Sequence, residues 1–181
     1  QLNQKIDSQK ILSAKLLVAE NNKLQNISSS VDVEFSVFSQ MGDDGIIQWL
    51  INKIPFPIAS KTFIEFGVEN YTESNTRFLL VNNNWSGLVM DGSEKNITYI
   101  HNDFISWLYD INAKQVFVTA ENINNEIKNA GFEGEIGILH IDIDGNDYWI
   151  WEAISIVDPI LVIVEYNSAF GYERPITITY N

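Results

Sequence analysis

The sequence predicts an α/β domain on an open, doubly wound and mostly parallel sheet, preceded by a helical extension. Three observations lead there. From Thr62 onward, short apolar runs alternate with helix-length amphipathic stretches, the pattern of a parallel sheet covered on both faces. The 181 residues suffice for one domain of ordinary size and leave too little for two. Finally, 45% hydrophobic against 19% charged residues gives the chain enough apolar surface to bury a core.

Residues 1–34 read as a helical arm and 35–181 as the α/β domain. Within the arm, Leu2, Ile6, Leu17 and Leu24 share one face of a helix and suggest a packing or homodimerisation surface. Ser28-Ser-Ser30 interrupts that pattern. Asp43 or Asp44 then caps a helix whose Ile46, Ile47, Leu50, Ile51 and Ile54 are spaced for burial, and Pro55 and Pro57 end it. Buried strands are expected at Thr62–Gly67, Gly87–Asp91, Gln115–Thr119, Gly137–Asp142 and Ile160–Glu165. Helices are expected at about 74–83, 94–110, 121–130 and 146–156. The last alternating run, Ile176–Tyr180, reads as one more strand, and a strand with nothing after it suggests a C-terminal part that continues in the natural protein.

Composition removes several functions. Twenty-four acids against eleven bases give a formal charge of −13, the wrong sign for holding nucleic-acid phosphates or an anionic membrane. No apolar run approaches the ~18–20 residues that span a bilayer, and Gln1–Lys10 carries no signal-peptide segment, so a cytoplasmic location is expected. The absence of cysteine excludes disulfides, thiolate zinc sites and a Cys nucleophile.

Ligands of a doubly wound sheet bind outside the carboxyl ends of its strands. Four of the five expected strand ends carry an acid there. Gly67 lets the backbone approach a ligand closely. A three-glycine phosphate fingerprint and a Walker-type lysine are both missing, and Glu65 and Glu69 would repel a pyrophosphate. A cofactor bearing an amino group and a sulfonium suits these charges better. Asp91, 26 residues after Glu65, is placed to accept ribose hydroxyls, and Glu121-Asn122 to read an adenine edge. Each acid taken alone is equally consistent with a helix N-cap.

The run His140-Ile-Asp-Ile-Asp-Gly-Asn-Asp147 admits three readings. Asp142 and Asp144 could hold a divalent metal such as Mg²⁺. One of them could instead serve as a general base, because crowded acids raise one another's pKa. Or Asp144 or Asp147 caps the next helix while His140 packs in the core.

Taken together, Phe38-Ser-Gln-Met-Gly-Asp-Asp-Gly-Ile-Ile47, Phe63-Ile-Glu-Phe-Gly67, Glu73-Ser-Asn-Thr76, Trp85-Ser-Gly-Leu88 and Ile141-Asp-Ile-Asp-Gly145 resemble FkbM-type S-adenosylmethionine-dependent methyltransferases. The resemblance covers about residues 35–180 and departs from the family in a first loop with one glycine. It implies a Rossmann-like class I methyltransferase fold, S-adenosylmethionine as methyl donor, and a small-molecule or glycan hydroxyl as acceptor. On that resemblance Gln40, Glu65, Gly67, Ser74 and Asn75 lie at the methionine end of the cofactor or near the acceptor. Asp91, Gly92 and Ser93 hold the ribose, Ala120, Glu121 and Asn122 flank adenine, and Asp142 and Asp144 face the acceptor. Two alternatives remain: a metal-dependent glycosyltransferase using Asp142-Ile143-Asp144, and a non-catalytic binding module of the same fold.

Overall fold

The computed structural model describes residues 2–171, 173 and 175–180, with the backbone alone for residues 2–4. Its centre is a five-stranded, all-parallel sheet in the order β3-β2-β1-β4-β5. The strands are β1 Thr62–Phe66, β2 Ser86–Asp91, β3 Ile111–Gln115, β4 Gly134–Ile141 and β5 Val157–Val164. The described helices are α1 Leu2–Asn21, α2 Asp43–Lys53, α3 Arg77–Asn83, α4 Glu94–Asn102, α5 Ile105–Leu108, α6 Ile123–Asn129 and α7 Asp147–Ala153. The chain winds outward from β1 to β2 and β3, then returns to the other side of β1 for β4 and β5. The doubly wound expectation holds.

Alternation along each strand feeds two cores. Phe63, Val89 and Ile138 project to one face, where Leu79 and Leu80 of α3 and Ile97 and Ile100 of α4 cover them. Ile64, Phe66, Leu88, Met90 and Ile141 project to the other, under Ile123 and Ile127 of α6 and Ile150 of α7. Fully burying side chains of this size contributes roughly 1.5–3 kcal/mol each, so the two-sided sheet is the chief source of stability. No described helix is long and apolar enough to cross a membrane.

Several expected boundaries move. The third strand is Ile111–Gln115, not Gln115–Thr119. It lies at the sheet edge, where one-sided packing accepts Asn112 and Lys114, so its sequence lacks the apolar run used to find it. The helix expected over 94–110 ends at Asn102, because Asp103 is extended and its carboxylate accepts the Ile105 amide at 3.3 Å to open α5. Residues 74–76 stay outside α3. Neither Asp43 nor Asp44 caps α2: the N-cap is Gly42, which makes no side-chain hydrogen bond. Ile176–Tyr180 is not a strand of the sheet.

The arm also turns a different face inward. Ala14, with Ile11 and Val18, packs against Val37, Phe38 and Phe78, while Ile6, Leu17 and Leu24 are exposed. The side chain of Leu2 lies outside the described residues. The small Ala14 permits close approach of α1 to the Phe38 loop, and closeness decides the contact face here rather than the spread of leucines.

Candidate functional site

Strand order reverses between β1 and β4, and a cleft of about 1020 Å³ opens over the carboxyl ends of the strands there. That is where a doubly wound sheet offers a ligand its crevice. Among the described residues, eight carboxylates line the cleft, no lysine or arginine does, and His140 is the one basic side chain. The cleft therefore favours cationic groups and opposes phosphates.

At the β1 end, Glu65 is buried and its two oxygens are saturated. The hydroxyls of Ser74 and Thr76 donate to Oε2, the Ser74 bond at 2.6 Å. The amides of Asn75 and Thr76 add bonds of 3.2 and 3.3 Å, and His140 Nδ1 lies 2.9 Å from Oε1. Burial works against the Glu65 carboxylate, but His140 and the two hydroxyls overcome it and hold its pKa below the usual value. Burial likewise disfavours the His140 cation, and Glu65, with Asp142 and Asp43 beyond it, overrides that and raises the imidazole pKa. Asn75 Nδ2 sits 3.0 Å from His140 Nε2, so a fully protonated ring requires the amide to present its oxygen instead. Glu65 and Ser74, expected at the cofactor, thus spend their hydrogen bonds on the scaffold.

Gly67 adopts φ +72°, and a Cβ there would overlap the carbonyl oxygen of Asp142. Its role is to let the β1 and β4 ends approach each other. In the same loop Glu69 and Tyr71 also adopt positive φ, of 48° and 62°. Arg77 braces this loop: Nη1 donates to the Tyr71 carbonyl at 2.7 Å, and the guanidinium lies over the rings of Phe38 and Tyr71. Sequence reading did not single out Arg77, because a lone arginine after a Ser-Asn-Thr turn looks like any helix start.

At the β2 end, Asp91 accepts the Glu69 amide at 2.9 Å, the Ser93 amide at 2.8 Å and Asn96 Nδ2 at 3.0 Å. A carboxylate has about four lone-pair positions, so room for one ligand hydroxyl remains. Ser93 caps α4 through the Asn96 amide, and Gly92 leaves space beside Phe117, which is 80% exposed at the rim.

The Phe38 loop is held over the cleft by Asp44. Its Oδ2 accepts the amides of Val37, Phe38 and Ser39 at 2.7, 2.7 and 2.9 Å. Burial nevertheless raises the Asp44 pKa, the amides opposing it. Gln40, Met41 and Asp43 follow at the cleft wall.

β4 ends at Ile141, so strand alternation stops before Asp142 and does not align it with Asp144. Asp144 takes φ +56°, and Asp147 braces the turn by accepting the amides of Ile143 and Gly145 at 2.9 and 2.8 Å. Asp142, Asp144 and Glu165 are exposed at this end of the cleft. Partial desolvation raises the Asp142 pKa; Asp147, Asp144 and Glu65 add to the rise and His140 opposes it. Glu165 is raised by desolvation and then by Asp142. Among the described residues, no three His, Asp or Glu side chains are arranged to hold a metal ion.

The adenine expectation fares differently. The segment after β3 that lines the cleft is Val116–Val118, while Ala120, Glu121 and Asn122 lie outside the lining. Asn122 closes its own turn, accepting the Thr119 amide at 2.9 Å and donating to the Phe117 carbonyl at 2.9 Å. The shift follows from β3 ending at Gln115, four residues before the expected end.

Comparisons with protein-family models, with curated proteins and with solved structures return no match.

Proposed function

We propose that the cleft binds S-adenosylmethionine and that the chain is a methyltransferase acting on a hydroxyl of a small molecule or glycan. One observation carries the reading: a cleft at the sheet's switch point whose described lining holds eight carboxylates and neither lysine nor arginine. The side chains of Glu69 and Glu73 make no hydrogen bond or ion pair among the described residues, so their charge is free to meet a ligand's. A nucleotide-sugar diphosphate would bring two more negative groups to these acids. That disfavours the glycosyltransferase reading.

When bound, S-adenosylmethionine supplies an electrophilic methyl group on a sulfonium. The chain's contribution is to hold and orient. Asp91 has capacity for one ribose hydroxyl, and Gly67 brings the first loop against Asp142. Asp142 is the acid best placed to take the acceptor's proton as the oxygen–carbon bond forms. Its carboxylate is raised toward neutrality by partial desolvation and its acidic neighbours, which makes it a stronger base than an isolated aspartate. Asp144 acts by adding to that rise.

Thermal denaturation tests the reading. S-adenosylhomocysteine should raise the melting temperature in a concentration-dependent way. Stabilisation by a uridine-diphosphate sugar with Mn²⁺, and none by S-adenosylhomocysteine, would overturn it.

A further inference from the structure

The residues expected to meet an adenine ring are already engaged, by the chain's own C-terminal segment. Tyr180 Oη accepts a hydrogen bond from the Ala120 amide at 3.0 Å and donates one to Glu121 Oε2 at 2.8 Å. Adenine's Watson–Crick edge offers the same pair side by side, an accepting N1 and a donating N6 amino group. The tyrosine hydroxyl thus satisfies both a donor and an acceptor that would read such an edge. Two more contacts fix the segment. Trp149 Nε1 donates to the Ile178 carbonyl at 2.8 Å, and Ile178 Cδ1 lies over Gly145, 2.7 Å from where a Cβ would sit. The cleft's lining ends at Val118, two residues short of the Ala120 amide that Tyr180 covers. Tyr180 is 39% exposed and Glu121 is exposed, so the contact lies where a ligand can compete for it.

We propose that Ile176–Tyr180 is a displaceable plug, its Tyr180 hydroxyl standing in for an adenine edge at Ala120 and Glu121 until an adenine-bearing ligand replaces it. The identity of that ligand rests on the methyl-donor reading above. Displacement would join the Ala120–Glu121 edge to the cleft beside Phe117. A site filled by its own chain binds a ligand more weakly, in proportion to the fraction of time it stands open. Weakening the plug should therefore strengthen binding, the opposite of what loss of a structural brace would do.

The test uses the full chain and Tyr180→Phe, with S-adenosylhomocysteine and adenosine as probes in calorimetric titrations. Loss of the hydrogen bonds at Tyr180, one of them to a charged group, should tighten S-adenosylhomocysteine binding about tenfold. Ile178→Ala, which loosens the segment at Gly145 and leaves Ala120 untouched, should also tighten it. In the unsubstituted chain, Trp149 fluorescence should change as the probe saturates, and the Ala120 amide should exchange faster in Tyr180→Phe than in its parent. Equal or weaker binding by both variants, with Trp149 silent, overturns the plug while leaving the methyl-donor reading in place. If neither probe binds any of the three proteins, both ideas fall together.

Discussion

Glu65 and Asp142 end neighbouring strands on either side of the switch point, yet they live under opposite conditions. Glu65 is buried and saturated by two hydroxyls, two amides and an imidazole. Asp142 is exposed, and the groups around it are mostly acids. A carboxylate with every lone pair occupied has nothing left to offer a ligand, whereas one crowded by like charge gains by meeting a cation or taking a proton. The comparison separates a carboxylate committed to the scaffold from one left open to a ligand within a single cleft.

The largest effect should come from breaking the scaffold side. Glu65→Ala leaves an imidazolium and several donors buried without a partner, at a cost of about 3–5 kcal/mol. Asp142→Asn should stay within about 0.5 kcal/mol of the parent, as for a surface change. Urea denaturation of both variants measures the contrast, and equal losses would abolish the distinction drawn here.

Gly67 joins the two sides, so Gly67→Ala sharpens the comparison. The new methyl meets the Asp142 carbonyl from a left-handed backbone, and about 1–3 kcal/mol should be lost. A melting temperature unchanged from the parent would mean that the β1 and β4 ends are not held together.

A smaller effect follows from pH. The Glu65 pKa is depressed, so its contribution is present above the usual 4.5 and is lost as pH falls through the folded value. The His140 pKa is raised, so its contribution is full below the usual 6.5 and is lost as pH rises through the folded value. The difference in melting temperature between the parent and His140→Gln should therefore be greatest between those two values and shrink on either side. A difference that is flat from acid to alkaline pH would show that the pair is not ionised.

Much of the fold was legible because four strands carry apolar runs; β1, β2 and β4, buried on both faces, need them, and β5 keeps one although it lies at an edge and is half-buried. β3 was displaced because Ile-Asn-Ala-Lys-Gln is edge-strand sequence, while the apolar Val116 and Val118 beyond it pack against the core from a loop. The residues expected at the ends of β1, β2 and β4 do line the cleft, since topology dictates where strands end. What each carboxylate does was not legible. Ser74 and Thr76 reach Glu65 across 9 and 11 residues, and the spacing of such a turn has no fixed period to betray it. His140 was a candidate for core packing. It is buried, but as half of an ion pair. Asp44 reads as a cap by position, yet it folds back onto three amides that precede it.

The sheet's two outer strands carry a further consequence, for how copies of the chain meet. An open strand edge is a template for joining another. On β3 that edge is dressed with Asn112, Lys114 and Gln115, and Lys114 is tied to Glu126 at 2.7 Å. On β5, Pro159 removes one donor near the start, but Leu161, Val162 and Ile163 continue half-buried beyond it. The surface as a whole adds a second restraint: thirteen surplus negative charges put a repulsive contribution into encounters between copies. The acidity that lines the cleft thus also opposes edge-to-edge addition of a second sheet.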